Sequence, residues 1–150
     1  MVRIYISAVM EAPITDIWAV LRDFNALPIY HPFFARSEIE QGLPPDQIGC
    51  IRSFFTHEGE HIREKLLTLS DRDYTCCYCI LDADLPVRGY VSEMRLRPVT
   101  EGDKTFGEWW AEYEVDPADA EKVNKTVSDT FRFAFEGAEK IAIAQKGSLA

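Results

Sequence analysis

The chain has 150 residues, enough for one domain with a real core, and its 47% hydrophobic and 12% aromatic content excludes a disordered polar chain. Its net charge of −9, with no Lys/Arg cluster to offset it, argues against nucleic acid and anionic membrane surfaces as partners.

Val2 to Met10 is apolar but carries Arg3 and alternates like a strand, with Ile4, Ile6 and Ala8 on one face, so it does not read as a secretory leader. No apolar run approaches the roughly 20 residues a spanning helix needs. The expected location is the cytoplasm, where Cys50, Cys76, Cys77 and Cys79 stay reduced. Ala12-Pro13 opens a helix whose apolar stripe is Ile14, Ile17, Trp18, Leu21 and Phe24. Asn25 to Tyr30 reads as a second short helix, stopped by His31-Pro32.

Six strands follow. Ala35 to Gln41 ends at the loop Gly42 to Asp46. Cys50 to Thr56 and Glu60 to Leu69 flank a tight turn at His57-Glu58-Gly59. Tyr74 to Leu81, Val87 to Arg97 and Thr105 to Val115 complete the set. Ala118 to Gln145 is then one helix, roughly 40 Å long at ~1.5 Å per residue. Its apolar face is Val123, Val127, Phe131, Ala134, Ala138 and Ile141, and the tail from Lys146 is expected to be loose. Strands in a run with helices at the ends read as α+β, an antiparallel sheet around a long helix. Such a packing leaves room for a concave, mostly apolar ligand cavity.

Strand parity assigns the faces. On the last strand Glu108, Glu112 and Glu114 must be wet, so Trp109 and Tyr113 point in. On the strand before it Tyr90, Ser92, Met94 and Leu96 share the inner face. Glu64 falls in with Ile62, Leu66 and Thr68 on the apolar side of its strand. Parity alone leaves the Cys50 to Thr56 strand undecided. A turn centred on Glu58 sets Arg52 directly opposite Glu64, ~5 Å away, whereas a bulge or a two-residue turn breaks that pairing. Burying an ionised group costs several kcal/mol unless it is paired, so a pair held inside a cavity points to use on something that enters.

The landmarks Ala12-Pro13 with Ile17-Trp18, Gly49 with Arg52, Glu64-Lys65-Leu66-Leu67, Pro86, Tyr90, Thr105, Trp109 and the long helix cover nearly the whole chain. In this order and spacing they resemble the START/Bet v 1-like superfamily, in particular its polyketide cyclase/dehydrase-like (SRPBCC) branch. The resemblance implies a helix-grip fold, a curved seven-stranded antiparallel sheet gripping the C-terminal helix over a deep hydrophobic cavity. At the polar residues the chain is similar to the plant lachrymatory factor synthases, which use an arginine, a glutamate and a tyrosine to rearrange a sulfenic acid. Arg52 in its Gly-x-x-Arg strand, Glu64 in Arg63-Glu64-Lys65-Leu66-Leu67 and Tyr90 before Val91 match those positions. The hairpin between Arg52 and Glu64 is shorter here.

These readings give Glu64 the role of general acid/base, Arg52 that of anchor and anion stabiliser, and Tyr90 that of hydrogen-bond donor or relay. Phe54, Tyr78, Met94, Trp109, Tyr113 and Phe131 are the expected cavity lining, with plain core as the alternative. The expected ligand is a small hydrophobic or aromatic molecule with a polar or anionic group. No cofactor and no metal are called for: His57 and His61 read as solvent-facing turn residues, and no Cys or His set has zinc-site spacing. His31 is placed at the pocket mouth. Three functions stay open: a cofactor-free cyclase, dehydratase or isomerase; a carrier or sensor whose ion pair only closes one end of the cavity; and an interaction module presenting an exposed Trp110. The oligomeric state is left undetermined.

Overall fold

In the computed structural model, which describes residues 1–149, seven strands form one antiparallel sheet. They are β1 Val2–Met10, β2 Phe34–Ile39, β3 Ile51–Thr56, β4 His61–Ser70, β5 Thr75–Ala83, β6 Arg88–Val99 and β7 Lys104–Glu114, in the spatial order β1-β7-β6-β5-β4-β3-β2. Two short helices, α1 Ile14–Leu21 and α2 Leu27–Tyr30, join β1 to β2, and α3 Pro117–Leu149 runs across the concave face. This is the helix-grip architecture of an α+β chain. No helix among the described residues is long and apolar enough to cross a membrane.

Alternation predicts the faces well. On β6, Tyr90, Ser92, Met94 and Leu96 are buried, and on β7 so are Gly107, Trp109, Ala111 and Tyr113. The apolar stripe of α3 packs down on them through Val127, Phe131, Phe135 and Ala138. Gly107 leaves the gap this needs: a Cβ there would meet Phe135 and Met10 carbons at 2.8 Å. Gly137 does the same on α3, since a Cβ would lie inside the carbonyl oxygen of Tyr30. That contact seats α2 against α3.

Three expectations fail locally. The helix continues past Gln145 to Leu149 rather than ending there, and Ala150 lies outside the described residues. The second helix begins at Leu27 rather than Asn25, because Asp23 and Asn25 form a side-chain turn before it. On β4, Thr68 is exposed rather than inward. A bulge between Leu66 and Thr68 shifts the register, so Thr68 pairs Cys77 on the wet face and Leu69 turns toward the core beside Cys76.

Candidate functional site

The turn between β3 and β4 decides the site. Thr56 N–H donates to Glu60 O at 2.9 Å and Gly59 N–H to Thr56 O at 3.0 Å, closing a three-residue loop of His57, Glu58 and Gly59. Gly59 ends it at φ 91°, a left-handed conformation that glycine adopts without strain. The odd loop length sets Arg52 opposite Glu64 across the ladder, both side chains toward α3.

Between the sheet, α2 and α3 lies a cavity of about 490 Å³, in the size range of small-molecule sites. Arg52 and Glu64 sit on its wall with side chains 5% and 7% exposed. Arg52 Nε and Nη2 lie 2.9 and 2.7 Å from the same carboxylate oxygen, Glu64 Oε1, and Nη1 donates to the Phe24 carbonyl at 3.2 Å. The guanidinium carbon is 3.9 Å from the Phe24 ring centre and 4.7 Å from that of Tyr78. Glu64 Oε2 accepts no hydrogen bond among the described residues, yet it is not one of the sealed polar atoms without a partner. Glu64 lines the open volume, and Oε2 is the oxygen that Arg52 leaves unheld. Burial pushes the Glu64 carboxyl above its ordinary range, and the charge and hydrogen bonds of Arg52 draw it part of the way back. Burial works against the charge on Arg52 too, but Glu64 outweighs it, and the guanidinium stays firmly protonated.

Tyr90 is buried on the same wall but makes no hydrogen bond to either member of the pair; its ring stacks on Tyr113. Tyr78 is the hydroxyl-bearing side chain in contact with the arginine. Trp109 Nε1 donates to both Tyr78 Oη and Ser92 Oγ at 3.1 Å, and Ser92 Oγ donates to Trp110 O. Burial holds the Tyr78 and Tyr90 phenols well above their usual range, so both are neutral.

Of the expected lining, Phe54, Tyr78 and Trp109 face the cavity and Met94, Tyr113 and Phe131 do not. Phe131 stacks on Trp109 at 5.2 Å, which puts the indole between it and the hollow. Tyr113 is occupied by Tyr90 and donates to Asn124 at 2.6 Å. Met94, beside Trp109 in the ladder, is packed into the core. The wall gains Leu27, Ile62, Ile80, Leu85 and Val127. Parity placed Ile62 with Glu64 and would place Ile80 with Tyr78, whereas Leu27 reaches the site from the start of α2 and Leu85 from the loop between β5 and β6.

The histidines and Trp110 differ from expectation. His31 is not at the mouth but 2% exposed, its Nε2 donating to Thr130 O at 2.8 Å and its Nδ1 accepting from Phe33 N–H at 3.1 Å. Burial lowers its pKa to about 4, so it is a neutral strut between α2 and α3. His57 is exposed on the cavity rim with Glu58, Glu60 and Lys122. His61 is half-buried, stacked on Phe55 and 2.7 Å from Ser53 Oγ on the outer face of the sheet. Trp110 is half-covered rather than exposed, since Arg3 and Arg95 lie 5.8 and 5.6 Å from its ring centre. That removes the support for an interaction module built on it.

Comparison with known proteins agrees with this geometry. The XoxI protein of Bacillus cereus superposes with a TM-score of 0.84 at 19% identity, covering 97% of this chain and 99% of its own. An uncharacterised protein from Bacillus thuringiensis gives 0.82 at 20% identity, with 95% and 99% covered. Norcoclaurine synthase of Thalictrum flavum, solved with dopamine and hydroxybenzaldehyde, gives 0.76 at 20% identity, with 95% and 87% covered. At these identities the likeness is one of fold. No curated protein matches the sequence. The family model described as polyketide cyclase/dehydrase and lipid transport matches residues 1–142. A match of that extent, on a sheet that grips its last helix, means that the chain belongs to the polyketide cyclase/dehydrase and lipid transport family, in the SRPBCC branch of the START/Bet v 1-like superfamily.

Proposed function

We propose that the protein binds a small hydrophobic or aromatic molecule carrying a polar group in this cavity, and that Glu64 moves a proton on it in a cofactor-free cyclisation, dehydration or isomerisation. One observation carries the reading: a buried carboxylate on the cavity wall whose second oxygen Arg52 leaves unheld. Burial raises its proton affinity toward the range useful for general acid/base work near neutral pH. Arg52 acts as a positioning residue, since its donors hold Oε1 and leave Oε2 aimed at the ligand. Tyr90, with its neutral phenol on the same wall, donates to the ligand's polar group.

The second reading, a carrier or sensor, is favoured by the closure of Arg52 on Glu64 and by the absence of a hydrogen bond from Tyr90 to the pair. Native mass spectrometry of protein purified from its own host identifies the retained molecule. Incubating that molecule with protein in deuterated water separates the readings. An enzyme incorporates deuterium or forms product in the wild type, and Glu64→Gln binds but does neither. A carrier returns the molecule unchanged with both proteins, and that result removes the catalytic proposal.

A further inference from the structure

The charge balance of the cavity bears on what its ligand is. Among the described residues Arg52 is its one deep cation, and the carboxylate 2.7 Å away already neutralises it. Each guanidinium nitrogen has a partner, and the Phe24 and Tyr78 rings lie close against the group. An anion entering the hollow meets a net charge of zero from the pair and loses its hydration without a free cation to replace it. The rim adds to this with two exposed carboxylates, Glu58 and Glu60, against one ammonium, Lys122. Of the hydrogen-bond donors on the deep wall, Trp109 Nε1 binds Tyr78 and Ser92, and His31 Nε2 binds the Thr130 carbonyl. The Tyr90 phenol is a donor without charge, and the acceptor on this wall is Glu64 Oε2, on a side chain 7% exposed.

We propose that the cavity selects uncharged ligands bearing a hydroxyl or N–H that donates to Glu64 Oε2, and rejects carboxylates of the same shape. This rests on the ligand-binding reading above and narrows its polar group to a neutral donor. A hydroxylated aromatic or alicyclic molecule satisfies the acceptor without adding charge, whereas a bare hydrocarbon fills the volume but leaves the carboxylate oxygen unpaired.

The test uses three probes of one shape, β-naphthol, β-naphthoate and β-methylnaphthalene, titrated into the full-length protein near neutral pH by calorimetry. β-Naphthol is expected to bind at least about tenfold more tightly than either of the others, where tenfold corresponds to about 1.4 kcal/mol. Arg52→Met/Glu64→Leu, which removes both charges at once, still binds β-methylnaphthalene and loses the preference for β-naphthol. Glu64→Gln removes the carboxylate without a change of shape and leaves the charge of Arg52 unbalanced, so β-naphthoate gains on β-naphthol and the preference between these two is lost. The proposal is overturned if β-naphthoate binds as well as β-naphthol, or if the preference survives in both variants. If none of the three probes binds, the ligand-cavity reading itself fails and this inference falls with it; binding without preference defeats the inference alone.

Discussion

Replacing Arg52 by methionine removes the guanidinium and leaves a carboxylate 7% exposed, with no cation in contact. The loss includes two charge-assisted contacts, at 2.9 and 2.7 Å, the hydrogen bond to Phe24 O, and packing against the rings of Phe24 and Tyr78. Breaking a buried pair by removing one partner costs about 3–5 kcal/mol, mostly from the stranded charge. At about 2–4 °C per kcal/mol for a chain of this size, the midpoint of thermal unfolding falls by about 6–20 °C. Removing Glu64 as well, as Arg52→Met/Glu64→Leu, takes the stranded charge away and restores stability to within about 1 kcal/mol of the wild type or above it.

The pH dependence gives a second handle on the same variant. Without Arg52, burial alone acts on Glu64, so its folded-state pKa rises further above the ordinary 4.5. A group whose folded pKa is raised contributes stability that is full below its unfolded value and lost as pH rises through the folded one. The Arg52→Met deficit therefore shrinks toward about pH 4.5 and grows toward about pH 7. Urea unfolding followed by tryptophan fluorescence at both pH values reads it directly. A deficit under about 1 kcal/mol at both, or one that grows as pH falls, refutes the claim that an ionised carboxylate is held there by the arginine.

Two further expectations concern the frame around the cavity. Gly137→Ala drives a methyl into the Tyr30 carbonyl and should cost about 3 kcal/mol in denaturant unfolding, despite alanine's better helix propensity; a neutral or stabilised variant would show that α2 is not seated on α3 at this point. His31 is lowered from 6.5 to about 4 by burial, so its contribution is present above the unfolded value and lost as pH falls through that window, on the order of 3 kcal/mol. Glu64 acts in the opposite sense, so the comparison is with His31→Gln, whose unfolding free energy should vary less with pH between those limits; equal slopes would mean that His31 takes up its proton without opening the structure.

Much of the site could be read in one dimension. Strand parity is local, since neighbouring side chains must point to opposite faces, and it placed Glu64, Tyr90 and Trp109 inward. The turn at His57-Glu58-Gly59 is also local, and counting outward from Glu58 sets Arg52 against Glu64. Parity fails at Thr68, because a bulge depends on how β5 pairs with β4 and no short-range pattern in β4 marks it. It also cannot tell a lining residue from one behind the lining. Met94 and Tyr113 share the inner face with Trp109, and Phe131 faces it from α3, but none of the three lines the hollow: Tyr113 stacks on Tyr90 and Phe131 on the indole.

By itself, then, the sequence determined the element order and most of the inward faces, because each follows from a period of two or 3.6 residues, and it set the two opposite charges face to face only on condition of a three-residue turn. Only the tertiary structure decided that the charges meet and what surrounds them. Phe24 arrives from the loop after α1, Tyr78 from β5, and Trp109 with Ser92 from β7 and β6, and their convergence leaves Glu64 Oε2 as the carboxylate oxygen that Arg52 does not hold. That arrangement depends on contacts between residues far apart in the chain, which no local period encodes.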